Sequence, residues 1–306
     1  AESISKQGGK IYLSAREGEV INSGTLSVNS TEDKGGNIEI TGDEITIEEN
    51  SKLTATGKTG GGQILVGGSW QNSDSSVYQS TVTTVETNTL IDTSATLNGD
   101  GGEIVIWSDI TNKDSVTTAS GTLYAKGGSQ GGDGGRIETS GYKLITTGVS
   151  GSASALKGQS GLWLFDPTNI TIGAAGSNAA ETNNGSNIIA STINTLLNGG
   201  TNVTVTTFNS GASELGDLTV SSEINKSSGA SDVTLTLRAA NLIRINDEIK
   251  HTGGTGLLNI ILDSDNNTNS STAGSSPSRD GGGIIILEDN ISSGGGNITF
   301  GGTTDS

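Results

Sequence analysis

The sequence predicts an all-β fold, a right-handed parallel β-helix (β-solenoid) with one short surface helix, and three observations carry that prediction. First, a doubled glycine followed by a short alternating apolar run recurs seven times: GGKIYLS from Gly8, GGNIEITG from Gly35, GGQILVGG from Gly61, GGEIVIWS from Gly101, GGRIETSG from Gly134, GGIIILED from Gly282 and GGNITFGG from Gly295. Second, the second glycines of the early copies, Gly9, Gly36, Gly62, Gly102 and Gly135, are spaced 27, 26, 40 and 33 residues apart. Self-similarity at periods of roughly 20 to 50 residues marks solenoids, whose single coils cannot bury an apolar face alone. Third, 48 glycines, 2 prolines, 3% aromatic and 30% hydrophobic residues in 306 do not furnish two ordinary globular cores. The Val, Ile, Leu and Thr are instead gathered into short runs of period two, which a disordered chain has no reason to keep.

Each element follows from the same reading. In GGNIEITG the glycines turn the corner, Ile38 and Ile40 point inward, and Asn37, Glu39 and Thr41 point out. Runs at Gly36–Ile40, Glu44–Ile47 and Lys52–Ala55 make three strands in about 26 residues, one coil. The Ser/Thr-rich tract Gln71–Asn88 reads as an insertion that lengthens the third spacing. Ser186–Gly200, SNIIASTINTLLNGG, sets Ile189, Ile193, Leu196 and Leu197 at helical spacing, with Ser186 as cap and Gly199–Gly200 as stop. That helix is expected to lie on the rod and shield the joint between its halves. Further strands are expected at Asn202–Thr206, Asp217–Val220, Asp232–Leu237, Asn241–Ile245 and Gly256–Leu262. Leu218 to Leu242 and Val233 to Leu257 are each 24 residues, again one coil. The chain thus divides into a β-helix over 1–160, an irregular segment with the helix over 161–200, and a β-helix over 201–306 with a second insertion near 263–279. Some ten coils at roughly 4.8 Å each give a rod on the order of 50 Å long.

The net charge of -17 argues against nucleic acid and anionic membrane as partners, because both need a basic footprint. No stretch reaches the roughly 18 consecutive apolar residues of a membrane helix, so no membrane insertion by a helix is expected. The absence of Cys and Met suits an extracellular location. No signal-peptide pattern stands at Ala1, so any such peptide is expected to have been removed or to lie outside this chain. Chemistry is sparse. His251 is the sole histidine and reads as a solvated corner residue, and Asp92, Asp100 and Asp109 fall near turns with nothing to join them. A polysaccharide-cleaving β-helix enzyme, working with clustered Asp, Lys and Arg in a groove, stays as an alternative, but no catalytic residue and no cofactor are assigned and no enzyme activity is expected. Asp263, Asp265 and Asn267 have the odd-position spacing of a calcium loop, but Thr268 stands where glycine belongs and Gly274 where a bidentate Glu belongs. The glycines of GGSQGGDGG (Gly127–Gly135) read as turn glycines, and Asn-x-Ser/Thr sequons, such as those at Asn29, Asn169 and Asn297, are expected by chance in a chain this rich in these residues.

From Gly101 onward the phrases GGDGGRIETSG, GLWLFDPTNITI, IIASTINTLLNGGTNVTVTT, GDLTVSSEINKS and LTLRAANLIRINDEIKHTGG resemble the filamentous-haemagglutinin-type exoproteins of two-partner secretion systems. The segment around Trp163, Asp166, Pro167 and Asn169 is the most specific part of that likeness. The resemblance implies a right-handed parallel β-helix displayed at, or released from, the cell surface of a Gram-negative-type bacterium. It also implies a role as an adhesin or a toxin carrier, the adhesin binding a host or neighbouring-cell glycan or protein receptor. The right hand agrees with the rule for parallel crossovers. The amino-terminal secretion domain of such exoproteins is not recognised at Ala1, so an interior or processed segment is expected. Neither end shows a capping repeat, which leaves two expectations: a piece of a longer β-helix, or a subunit stacking head to tail into an extracellular filament. Contacts with a receptor are expected on the insertions Gln71–Asn88 and Asp263–Arg279, where a regular coil is free to vary.

Overall fold

The computed structural model describes residues 3–7, 9–174, 186–208, 215–264 and 283–301. Its strands form a parallel β-helix in which every coil is laid in register on the last. One ladder, here ladder 1, passes through ten strands: β2 (Lys10–Asn22), β4 (Asn37–Ile47), β6 (Gln63–Val66), β9 (Glu103–Trp107), β12 (Arg136–Ser140), β15 (Leu162–Asp166), β18 (Asn202–Thr206), β21 (Val233–Arg238), β24 (Leu258–Asp263) and β27 (Ile298–Phe300). Ladder 2 starts with the second halves of β2 and β4. It continues through β7 (Val82–Val85), β10 (Val116–Ala119), β13 (Lys143–Ile145), β17 (Asn187–Ile189), β16 (Ile170–Gly173), β19 (Asp217–Val220), β22 (Leu242–Ile245) and β25 (Ile284–Leu287). Ladder 3 has two stretches. The first is β3 (Thr25–Ser27), β5 (Lys52–Thr54), β8 (Leu90–Asp92), β11 (Thr122–Tyr124) and β14 (Ser150–Ser152); the second is β20 (Ile224–Lys226), β23 (Ile249–His251) and β26 (Ile291–Ser292).

Period-two alternation places one side chain of each pair inside, and the register then stacks like on like. Ile11, Ile38, Ile64, Ile104, Ile137, Trp163, Val203, Leu235 and Ile260 form one inward column along ladder 1. Ladder 1 and this core run through positions 160 and 200 without a break. The resemblance-bearing Trp163 and Phe165 are core residues, their rings stacked 5.5 Å apart, and Trp163 Nε1 donates to Thr139 Oγ1 at 3.2 Å. Inward polar residues are satisfied at the corner between ladders 1 and 2, where Thr83 Oγ1 donates to the Trp107 carbonyl (2.6 Å) and Thr117 Oγ1 to that of Ser140 (2.7 Å). The corner glycines are required by stacking. A Cβ on Gly36 would lie 1.9 Å from the carbonyl oxygen of Gly9, and one on Gly62 2.0 Å from that of Gly36.

The helix α1 (Ala190–Asn198) fills the gap between β14 and β20, so it stands in the wall where a ladder 3 strand would be. Ala190, Ile193, Leu196 and Leu197 are buried in the common core, while Ser191 and Thr195 face out. Ser186 does not cap it: Ile189 holds the N-cap position, and the buried Ser186 Oγ accepts the Leu144 N–H at 3.0 Å. β17 precedes the helix and enters ladder 2 between β13 and β16, a local reversal of chain order.

Four further expectations about the coils change. GGIIILED is not a ladder 1 repeat, since Ile284–Leu287 pairs with β22 in ladder 2. The 24-residue spacings slip by one: Leu218 opposes Ile243 and Val233 opposes Leu258, because a shift of one residue would turn outward Leu242 to the core. Gln71–Asn88 is not all insertion, because Val82–Val85 is β7 of ladder 2; the excursion is confined to residues 67–80. At the first coil β1 (Ser3–Gln7) runs antiparallel to β2, Gln7 opposite Lys10, and covers the ladder 1 part of the edge expected to be uncapped. At the far end the residues continuing the inward columns, Leu287, Ile298 and Phe300, are 47%, 38% and 53% exposed.

Candidate functional site

The outer face of ladder 1 departs from the alternating pattern over its third to sixth strands. Ile64–Val66 and all of Glu103–Trp107 are buried, so the outward Leu65, Val105 and Trp107 are covered from outside. The cover is the excursion 67–80, an Ω-shaped loop closed at its neck by Ser80 N–H donating to the Gly67 carbonyl at 2.9 Å. Val77 of the loop closes on Leu65, Val105 and Trp107 beneath it to make a second small core, with Trp70 and Ile110 against its rim. Gly67 and Gly68 are the residues this packing demands. Gly67 has φ +82, and a Cβ on Gly68 would fall 2.3 Å from the Trp107 ring. Trp107 Nε1 donates to Gln79 Oε1 at 3.1 Å, and Ser80 Oγ to the Trp107 carbonyl at 2.8 Å.

Beside the loop lies an open cleft of about 650 Å³. Its floor is the row of corner glycines Gly62, Gly101, Gly102, Gly134, Gly135 and Gly161. One outward column of ladder 1 supplies its wall, and the members are joined from coil to coil. Asn37 Nδ2 donates to Gln63 Oε1 (3.3 Å), Gln63 Nε2 to Glu103 Oε1 (2.7 Å), and the Arg136 guanidinium forms a two-point ion pair with Glu103 Oε2. The same guanidinium stacks over the Trp70 ring, 4.4 Å from its centroid, and Lys34 closes the cleft at one end.

Behind this wall two carboxyls are buried. Glu138, fully buried, accepts the Gln71 backbone N–H at Oε2 (2.8 Å) and the Ser140 hydroxyl at Oε1 (2.9 Å). Burial pushes its pKa up to about 8, with the Asp166 and Glu103 carboxylates adding to the rise and the two hydrogen bonds opposing it. Asp166, 8% exposed, stands one coil on in the neighbouring column, opposite Ser140, and burial raises it to about 7. The loop residue Asp74 is held low by the Ser76 hydroxyl and amide. It also helps to raise Glu39, whose main cause of elevation is burial.

Residues singled out from the sequence do not converge. Asp92 lies on ladder 3, where it accepts the Ser94 N–H. Asp100 precedes ladder 1 and accepts the Asp133 N–H, and Asp109 follows it and accepts the Thr111 N–H and hydroxyl. Of the calcium-loop residues, Asp263 faces Arg238 across 3.7 Å, while Asp265 and Asn267 lie outside the described residues, as does most of Asp263–Arg279. Among the described residues no group of three or more His, Asp and Glu is placed to hold a metal ion. His251 is not a solvated corner residue: it is half-buried, with Nε2 2.8 Å from the Gly253 carbonyl and Nδ1 3.3 Å from that of Ser293 in the next coil. Trp70, Trp107, Glu103, Arg136 and Glu138 were not singled out. The signal was present in the outward Leu65, Val105 and Trp107, apolar where the pattern calls for polar, because an apolar outer position needs a cover.

Fold and site together define a parallel β-helix protein with a loop-covered, cleft-bearing outer face. No protein-family model and no curated protein matches the chain.

Proposed function

We propose that the chain is a rod-like segment of a secreted surface exoprotein that serves in adhesion, and that the ladder 1 cleft holds a segment of a glycan. The observation that carries this reading is the wall itself: a tryptophan presented beside a row of two amides, a carboxylate and a guanidinium over a bare backbone floor. Amide side chains both donate and accept, which is what sugar hydroxyls require, and the partly exposed Trp70 offers an apolar face. With Glu103 and Arg136 paired, Lys34 is the remaining charge of the lining, which suits an uncharged or weakly acidic polymer. The resemblance to the filamentous-haemagglutinin-type exoproteins supports the wider assignment to adhesion at the surface of a Gram-negative-type bacterium. A screen against immobilised glycans, followed by titration of a hit with wild type and with Trp70→Ala and Arg136→Ala, tests it. Binding weakened at least tenfold in both variants, with unchanged circular dichroism, is the expected result. Wild type that binds no glycan, or variants that bind as wild type does, would overturn it.

Head-to-tail assembly is the second reading, and the exposed Leu287, Ile298 and Phe300 favour it. Against it, β1 occupies the ladder 1 part of that edge, Lys10–Ser14, which a parallel partner strand would need. Electron microscopy separates long uniform fibres from rods of unit length.

A further inference from the structure

We propose that residues 67–80 are a pH-responsive lid that closes over Glu138 while that carboxyl is neutral and opens as the carboxyl gives up its proton to solvent. The geometry of the contact is the basis. The lid's first turn, Trp70–Asn72, has no side-chain cap, and Gln71 and Asn72 both sit in the left-handed region at φ 47 and 52, a conformation side-chain-bearing residues rarely adopt. Trp70 seats that turn on the Arg136 guanidinium and the small core, and the Gln71 N–H reaches Glu138 Oε2, a side chain with no exposure to water. An ionised carboxylate there has lost its hydration and gained only two neutral donors, Gln71 and Ser140. Lifting the lid would return it to water, so ionisation and opening favour each other.

The groups packed round Glu138 push the same way. Val105 and Leu164 lie directly below and above it in its column and offer no polar partner. The strand below brings the Glu103 carboxylate and the strand above the Asp166 carboxyl, both of which disfavour a further negative charge. The cation on Glu138's own strand, Arg136, is spent on Glu103 and on the Trp70 ring. The lid's acid, Asp74, acts on Glu39 at the other end of the column. Burial raises Glu138 far enough for its titration to cover neutral pH.

Trp70 belongs both to the lid and to the cleft, so an open lid removes the aromatic part of the wall. As regulation of the cleft this inference rests on the glycan-binding reading; as a property of the lid it does not. The two are separated by hydrogen exchange measured by mass spectrometry on the ligand-free protein. Protection of the amides in peptides spanning 68–80, corrected for intrinsic rate, is expected to fall about tenfold per pH unit between about pH 5.5 and 7.5, roughly 100-fold in all. Peptides of β10 and β13 are expected to stay constant. In E138Q the lid protection is expected to be flat with pH. Wild-type lid protection that does not change with pH overturns the proposal, and so does an E138Q protein that keeps the slope. If E138Q does not fold, the wild-type contrast between lid and ladder peptides decides alone. A responsive lid with no glycan bound at any pH would sink the binding reading and uphold the lid; a flat lid with normal glycan binding would do the reverse.

Discussion

Replacing Gly102 by alanine puts a methyl group where two coils touch. Its Cβ would stand 2.0 Å from the Gly62 carbonyl oxygen and 2.8 Å from Thr93 Cβ, whereas non-bonded heavy atoms settle at about 3.5 Å. The coils must therefore part locally by about 1.5 Å, against a strand spacing of roughly 4.8 Å. Two backbone hydrogen bonds span that contact, Gly102 N–H to the Thr93 carbonyl at 2.8 Å and Glu103 N–H to the Gly62 carbonyl at 3.0 Å. Losing both, with their buried groups left unsatisfied, costs about 3–5 kcal/mol. Gly24 is the control, because nothing lies within 4 Å of its would-be Cβ and its φ is ordinary; alanine there should be neutral or stabilise by about 0.4–1 kcal/mol through the unfolded state. Urea denaturation followed by far-ultraviolet circular dichroism reads both variants. A Gly102→Ala protein with the midpoint of Gly24→Ala would refute the claim that the doubled glycines exist to let coils approach.

Two further outcomes are expected. Asn169 Oδ1 accepts the N–H groups of Gly216 (2.9 Å) and Asp217 (2.6 Å) in the next coil, so Asn169→Ala should destabilise the fold by about 2–4 kcal/mol in the same urea assay, and a loss under about 0.5 kcal/mol would contradict the bridging role. Glu138 and Asp166 have pKa values raised by burial to about 8 and 7. A carboxyl raised in the folded state contributes stability that is complete below its unfolded value of about 4 and is lost as pH climbs through the folded value. The thermal midpoint should therefore fall from about pH 5 to pH 8, and a double E138Q/D166N variant should flatten the profile.

Much of the coil was legible because the pattern is local. The doubled glycine, the inward Ile38 and Ile40 and the strands of the second coil each follow from a few neighbouring residues. What was not legible depends on partners distant in sequence. The one-residue slip at Leu218 escapes a spacing argument because LIRI offers apolar residues on both faces, and the true partner Ile243 is fixed only by pairing through Asp217–Leu242. The helix was legible from Ile193, Leu196 and Leu197, but not its place in the wall, which depends on the gap between β14 and β20. Ser186 looked like a cap because serine commonly is one, yet it is used by Leu144, 42 residues earlier. The cleft was least legible of all: Arg136 and Glu103 are 33 residues apart, and Trp70 reaches them only through a loop whose path depends on Trp107.

The chain has no cysteine, so introduced pairs report coil register without background. Thr84 and Thr118 face each other across β7 and β10, and strands one spacing apart bring Cα atoms to about 4.8 Å, within disulfide range. Thr84→Cys/Thr118→Cys is predicted to oxidise quantitatively to an intramolecular disulfide, while Thr84→Cys/Thr171→Cys, on strands separated by β10, β13 and β17, stays reduced. Free thiols in the first protein, or a cross-link in the second, would contradict the stacked parallel coil on which every other inference stands.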